Sequence, residues 1–147
     1  MSFRPGHVGL NVTDLDRSKE FYSRVFGFTV SHESQEDGRR FALLTQDGDL
    51  VVTLWQQSEN RFSTALPGLH HLSYGVADAD ALSRAEQVVK EIGATVHHGG
   101  VVPHGEGASY GGLYFEDPDG IRLEIYAPGA AGDRPAPTPG APTCGFF

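Results

Sequence analysis

His7-Val8-Gly9-Leu10-Asn11-Val12 returns later in the chain as His71-Leu72-Ser73-Tyr74-Gly75-Val76, and this repetition decides the fold. Each copy alternates apolar and polar side chains, the pattern of a strand with one buried face. An acidic linker follows in both, Thr13-Asp14-Leu15-Asp16 and Ala77-Asp78-Ala79-Asp80. Next come apolar residues at helical spacing: Leu15, Phe21, Tyr22, Val25 and Phe26 in the first copy, Leu82, Ala85, Val89 and Ile92 in the second. Gly27 and Gly93 stand where helices terminate.

The match continues with short β-rich runs, 28–30 against 94–96 and 40–45 against 112–115. Each unit then closes with a hairpin, turning at Asp47-Gly48 in the first and at Asp117-Pro118-Asp119-Gly120 in the second, and leading into strands at 50–56 and 121–126. The order β-α-β-β-β, read twice, defines an α+β fold. The modules span about 6–57 and 69–127 and together form one domain, 1–127. Residues 128–147, rich in Pro, Gly and Ala and without periodicity, are expected to be a flexible tail.

Composition narrows the function classes. With 19 acidic and 11 basic residues the formal charge is −8, and the basic residues are scattered, which argues against nucleic acid or anionic lipid as a partner. A small molecule or a second subunit is the better expectation. The first residues carry no apolar leader, so the expected location is the cytoplasm. The chain has one cysteine, Cys144, and hence no internal disulfide framework.

Strand alternation sorts the faces. Val8, Leu10 and Val12 are the core side of the first strand, leaving His7, Gly9 and Asn11 opposite. Leu72, Tyr74 and Val76 leave His71, Ser73 and Gly75, and Ile121, Leu123 and Ile125 leave Arg122, Glu124 and Tyr126. His7, His71 and Glu124 therefore share the non-core side. Such a face is either simply solvated or the wall of a metal site, since two imidazoles and one carboxylate leave coordination positions free for substrate or water. Of the other histidines, His70 is expected to be buried or helix-facing, and His97 and His98 to lie at a surface turn. His104, in the glycine-rich run 103–112 that is expected to form a mobile cover, is the extra candidate for acid/base work.

At the stretches His7 to Val12, His70 to Tyr74 and Leu113 to Glu124, the sequence resembles the vicinal oxygen chelate superfamily. That superfamily includes glyoxalase I, extradiol dioxygenases, fosfomycin-resistance enzymes and bleomycin-resistance proteins. The resemblance covers roughly 6–127. It implies two βαβββ modules whose mixed sheet curls around a cavity, usually in a homodimer, with one divalent metal held by His7, His71 and Glu124. Fe(II) is favoured by this ligand set, with Mn, Ni or Zn as alternatives.

It also implies a small-molecule substrate that chelates through two oxygens, Tyr114 as the catalytic proton donor or hydrogen-bond partner, and Asn11, Trp55, Ser73, Arg122 and Tyr126 as substrate contacts. Glyoxalase I uses a fourth ligand at the position of Thr53, where threonine is a poor donor. The set is closest to the extradiol dioxygenases, although the acid/base histidine of that motif has no counterpart nearer than His104 and Gln56 stands near the place of another. A fosfomycin-type epoxide opening would call on Arg122 for a phosphonate. A metal-free, bleomycin-type binder would use Trp55, Tyr126 and Phe62 against a flat ligand.

Overall fold

Two four-stranded mixed sheets, each accompanied by one helix, make up the computed structural model, which describes residues 1–147. The chain divides into two compact units, Met1–Phe62 and Ser63–Phe147, so the division falls between the two sequence repeats.

The first unit runs β1 (Val8–Val12), α1 (Leu15–Phe26), β2 (Thr29–Ser34), β3 (Phe41–Gln46) and β4 (Asp49–Gln56), with sheet order β1-β4-β3-β2. Asp14 caps α1 by accepting from the Arg17 N–H at 3.0 Å, which satisfies one of the orphan donors of the first turn. At the other end Gly27 turns left-handed, with φ 71°, and donates to Ser23 O at 3.0 Å. Leu15, Ser18, Phe21 and Tyr22 form the buried face of α1, which packs on β4. Asp47 and Gly48, both with positive φ, make the tight turn from β3 to β4.

The second unit runs β5 (Leu72–Gly75), α2 (Ala79–Glu91), β6 (Val102–Pro103), β7 (Gly111–Glu116) and β8 (Arg122–Ala127), in the order β5-β8-β7-β6. Asp78 caps α2 through the Ala81 N–H at 2.8 Å, and α2 lies on β7 and β8. Between β7 and β8 the Asp117 carboxylate accepts from the N–H groups of Asp119 and Ile121 at 2.8 and 2.9 Å, fixing the turn.

One expected strand differs. Of residues 94–96 only Val96 makes a β-bridge, to Phe115, and a 3-10 turn at His97–Gly99 follows. Positive φ at His98, Gly99 and Gly100 breaks the extended run, so the chain resumes sheet pairing only at β6.

In each unit the first strand runs parallel to the last while the other pairs are antiparallel. Gly9 pairs with Thr53, and Ser73 pairs with Glu124. This register makes Thr53 the structural equivalent of Glu124, as the repeat alignment requires.

Residues 128–147 belong to the second unit. In place of a free tail, the structure has a segment seated on that unit. Arg134 donates to Val101 O and His98 O at 2.9 and 2.7 Å, Gly140 N to Glu106, and Thr143 Oγ1 to Pro103 O at 2.7 Å, while Phe147 is buried. A compositional reading averages over these few anchors.

Candidate metal centre

Glu124 sits on β8 between Leu123 and Ile125 and is itself only 2% exposed. A carboxylate taken out of water is costly unless cations, donors or a metal compensate it. Three side chains approach it. His71 Nε2 lies 3.5 Å from Oε2, and His104 Nε2 lies 3.0 Å from Oε1. The third is Cys144: its sulfur, one His71 nitrogen and one Glu124 oxygen all lie within 4.8 Å of one another. Despite the nearness of His104, the buried Oε1 accepts no hydrogen bond.

Each group is placed by its element. His71 immediately precedes β5, and its Nδ1 lies 2.8 Å from Nδ1 of His70, so one ring holds the proton between them and His71 is left with Nε2 toward Glu124. His70 is therefore exposed and in contact with His71, where the sequence expects a buried residue on the opposite face. Strand alternation misassigns it because it precedes the first paired residue of β5.

His104 leads from β6 into the glycine-rich loop. Its N–H donates to Tyr110 O at 3.0 Å and its carbonyl accepts from Thr143 N at 2.8 Å. Tyr114 lies opposite Glu124 in the β7–β8 register and is fully buried, and its hydroxyl folds back over Gly112, where a Cβ would stand 2.6 Å away. Burial, and then the Glu124 carboxylate, hold the Tyr114 phenol far above the ordinary tyrosine range, so it stays protonated. Burial is also the first cause lowering His71 and raising the Cys144 thiol.

Cys144 rides on a 3-10 turn, Thr143–Gly145. Beyond it the Phe147 ring lies 4.8 Å from that of Tyr114, 5.4 Å from His97 and 5.8 Å from His71, with the Arg122 guanidinium 5.6 Å from its centroid. A recess of about 270 Å³ opens beside this cluster, lined by Ser73, His104, Ala108, Tyr110, Glu124 and Tyr126. Ser73, Tyr126, His104 and Glu124 are thus brought to one cavity. Tyr114 and Arg122 are not on its wall; they pack with Phe147 instead.

The first unit treats the equivalent position differently. Thr53 is buried and accepts from Trp55 Nε1 at 2.9 Å, and a Cβ on Gly9 would stand 3.3 Å from the same hydroxyl. Trp55 also lies against Phe41, at 5.2 Å between centroids. Asn11 is exposed and accepts from the Gln57 N–H at 3.0 Å, and His7, also exposed, precedes β1.

His97 and His98 are half-buried rather than free at a turn. His97 Nε2 is 3.1 Å from Glu116, and His98 stands edge-on to Tyr114 with its buried Nε2 unpartnered. Burial, then His97 and Arg134, lower the His98 pKa below 6.5, so the folded state binds the proton less well than the unfolded chain. Its contribution to stability is present above the unfolded value and is lost as pH falls through it. His98→Asn, which tolerates the left-handed backbone, is therefore expected to flatten the decline of Tm between about pH 7 and pH 5. Parallel thermal melts of the two proteins across that range check this.

The donors fit a divalent cation: a buried, under-paired carboxylate faced by an imidazole nitrogen, with a thiol in reach. Two βαβββ units, each a four-stranded mixed sheet with one helix, make this chain an α+β fold. It belongs to the glyoxalase/bleomycin resistance protein/dioxygenase superfamily, whose family model it matches over residues 4–125. The chain is 33% identical to the catechol-2,3-dioxygenase of Bacillus subtilis strain 168 over 138 residues, covering 90% of this chain and 42% of that protein. It thus spans less than half of that relative's length. It is 31% identical over 121 residues to glutathione transferase FosA of Serratia marcescens, covering 82% of this chain and 77% of that one. A solved glyoxylase/bleomycin resistance protein/dioxygenase domain from Frankia sp. EAN1pec superposes with a TM-score of 0.71 at 26% identity, covering 87% and 93% of the two chains.

One functional candidate, Cys144, escapes a sequence reading: its only signal is a single cysteine close to a pair of aromatics, Phe146 and Phe147, in an otherwise featureless segment.

Proposed function

We propose that this chain is a divalent-metal-dependent enzyme acting on a small molecule with two adjacent oxygens, closest to an extradiol-type dioxygenase, with Fe(II) as the favoured metal. The supporting observation is the buried Glu124 carboxylate, facing His71 Nε2 with one oxygen that accepts no hydrogen bond. His71 and Glu124 are two of the ligands, and His7, at the repeat-equivalent position of His71, is the third. When bound, such a metal supplies Lewis acidity and open positions for substrate oxygens.

The chain's own residues do the rest. Ser73 and Tyr126 face the recess and orient a small substrate there, and His104 at the same wall takes up or gives a proton through Nε2. Tyr114, kept protonated by its burial and opposite Glu124 in the sheet, is the proton donor or hydrogen-bond partner in this reading. The identity to a catechol-2,3-dioxygenase favours a catecholic substrate. The working unit is read as a homodimer.

Metal content by mass spectrometry, on protein purified without chelator, tests this directly. About one Fe per chain is expected, absent from Glu124→Ala and reduced in His7→Ala, together with oxygen consumption on catechols. Bound Mn, Ni or Zn with no oxygen uptake would move the reading to epoxide-opening or lyase chemistry. No metal after anaerobic Fe(II) or Mn(II) reconstitution would overturn it in favour of a ligand-sequestering protein.

A further inference from the structure

The segment 128–147 brings a donor to the centre that the repeat does not contain. Cys144 Sγ joins a His71 nitrogen and a Glu124 oxygen in a cluster whose members are all within 4.8 Å of each other. Its position is not incidental to a loose end. Thr143, the preceding residue, is fully buried, with its hydroxyl on Pro103 O at 2.7 Å and its N–H on His104 O at 2.8 Å. Phe147, three residues beyond, is 9% exposed and packs against Tyr114 and His71. The sulfur is thus carried on a turn pinned on both sides.

The group it meets is a carboxylate 2% exposed whose buried Oε1 accepts no hydrogen bond, with His104 Nε2 3.0 Å away and the buried Tyr114 phenol opposite it in the sheet. A thiol is a weak hydrogen-bond donor and does little to compensate a desolvated carboxylate. A cation shared by imidazole nitrogen, carboxylate oxygen and sulfur would compensate it, and thiolate is a strong ligand for borderline and soft divalent metals.

We propose that Cys144 is a metal ligand: with segment 128–147 seated, the thiolate joins His71 and Glu124 on one divalent cation, and the chain caps its own metal with sulfur. This rests on the metal-enzyme reading above for His71 and Glu124 and adds a regulatory element to it. The seated segment closes a coordination position that a substrate oxygen needs, so substrate binding and release of the segment are coupled. The thiol proton leaves to solvent as the metal binds. A sulfur in the set also moves the preference toward zinc and cobalt while the segment is seated.

The test uses the full-length chain, stripped of metal and titrated with Co(II). Because Cys144 is the sole cysteine, any thiolate signal reports on it alone. The expected result is a near-ultraviolet thiolate-to-cobalt charge-transfer band in the wild type, lost in Cys144→Ser while the visible cobalt bands persist. Cobalt is also expected to shield the thiol from a disulfide reagent. The affinity of Cys144→Ser should fall by at least the roughly 10–100-fold that loss of an outer-shell partner costs. If cobalt binds in a Glu124-dependent way with no charge-transfer band and no shielding, the sulfur proposal is overturned and the metal-enzyme reading stands. If cobalt does not bind, or binds equally well to Glu124→Gln, both are overturned.

Discussion

Glu124→Gln is expected to leave the metal-stripped protein at least as stable as the parent while abolishing its stabilisation by metal. The carboxylate is buried, one of its oxygens accepts no hydrogen bond, and burial holds the neighbouring His71 imidazole below the ordinary histidine range, which weakens it as a cationic partner. A neutral amide of the same shape costs less to desolvate than a carboxylate, so removing the charge relieves a penalty. In the wild type, a divalent cation at a hundredfold excess over its dissociation constant should add about 2.7 kcal/mol, or roughly 5–10 °C in Tm. The variant should gain none of it. Thermal melts with and without Co(II) or Fe(II) separate the cases. A steep loss of stability in the metal-free variant would mean that Glu124 is a structural residue.

Gly111→Ala is expected to be the most damaging single-methyl change outside the centre. A Cβ there would lie 2.0 Å from the carbonyl oxygen of Ala130 and 2.4 Å from its carbonyl carbon, both backbone atoms with no rotamer to give. Either β7 or the segment after β8 must move, and overpacking of this kind costs about 1–3 kcal/mol. At roughly 2–4 °C per kcal/mol the drop in Tm is readily measured. Since the displaced segment carries Cys144, thiol reactivity should rise in parallel. Gly105→Ala is the matched control, because its Cβ would meet Ala141 O at 4.0 Å, ordinary contact. Equal melting and equal thiol reactivity in the two variants would show that residues 128–147 are not seated as described.

Local signals carried much of the fold. The repeated strand motif, the helix-ending turns at Gly27 and Gly93 and the Asp47-Gly48 hairpin all act over a few residues, and each appears where its chemistry puts it. The strand expected at 94–96 failed for a local reason too, the left-handed His98 that β-propensity does not foresee. The centre was legible only where it follows the repeat. His71 and Glu124 emerge from strand alternation, whereas the approach of His104 to Glu124 depends on how a loop folds back and that of Cys144 on a buried Thr143 and Phe147. Such long-range placements leave no periodicity to read.

The parallel pairing of first and last strands has a consequence for how each unit is assembled during synthesis. β5 finds its hydrogen-bonded neighbour in β8, and β1 finds its own in β4, so the strand made first in a unit has nowhere to dock until the strand made last has left the ribosome. Closing that span costs more chain entropy than any hairpin within the unit. His71 stands at the head of such a strand, so a nascent second unit holds its imidazole and its carboxylate apart until the final strand of the sheet is available.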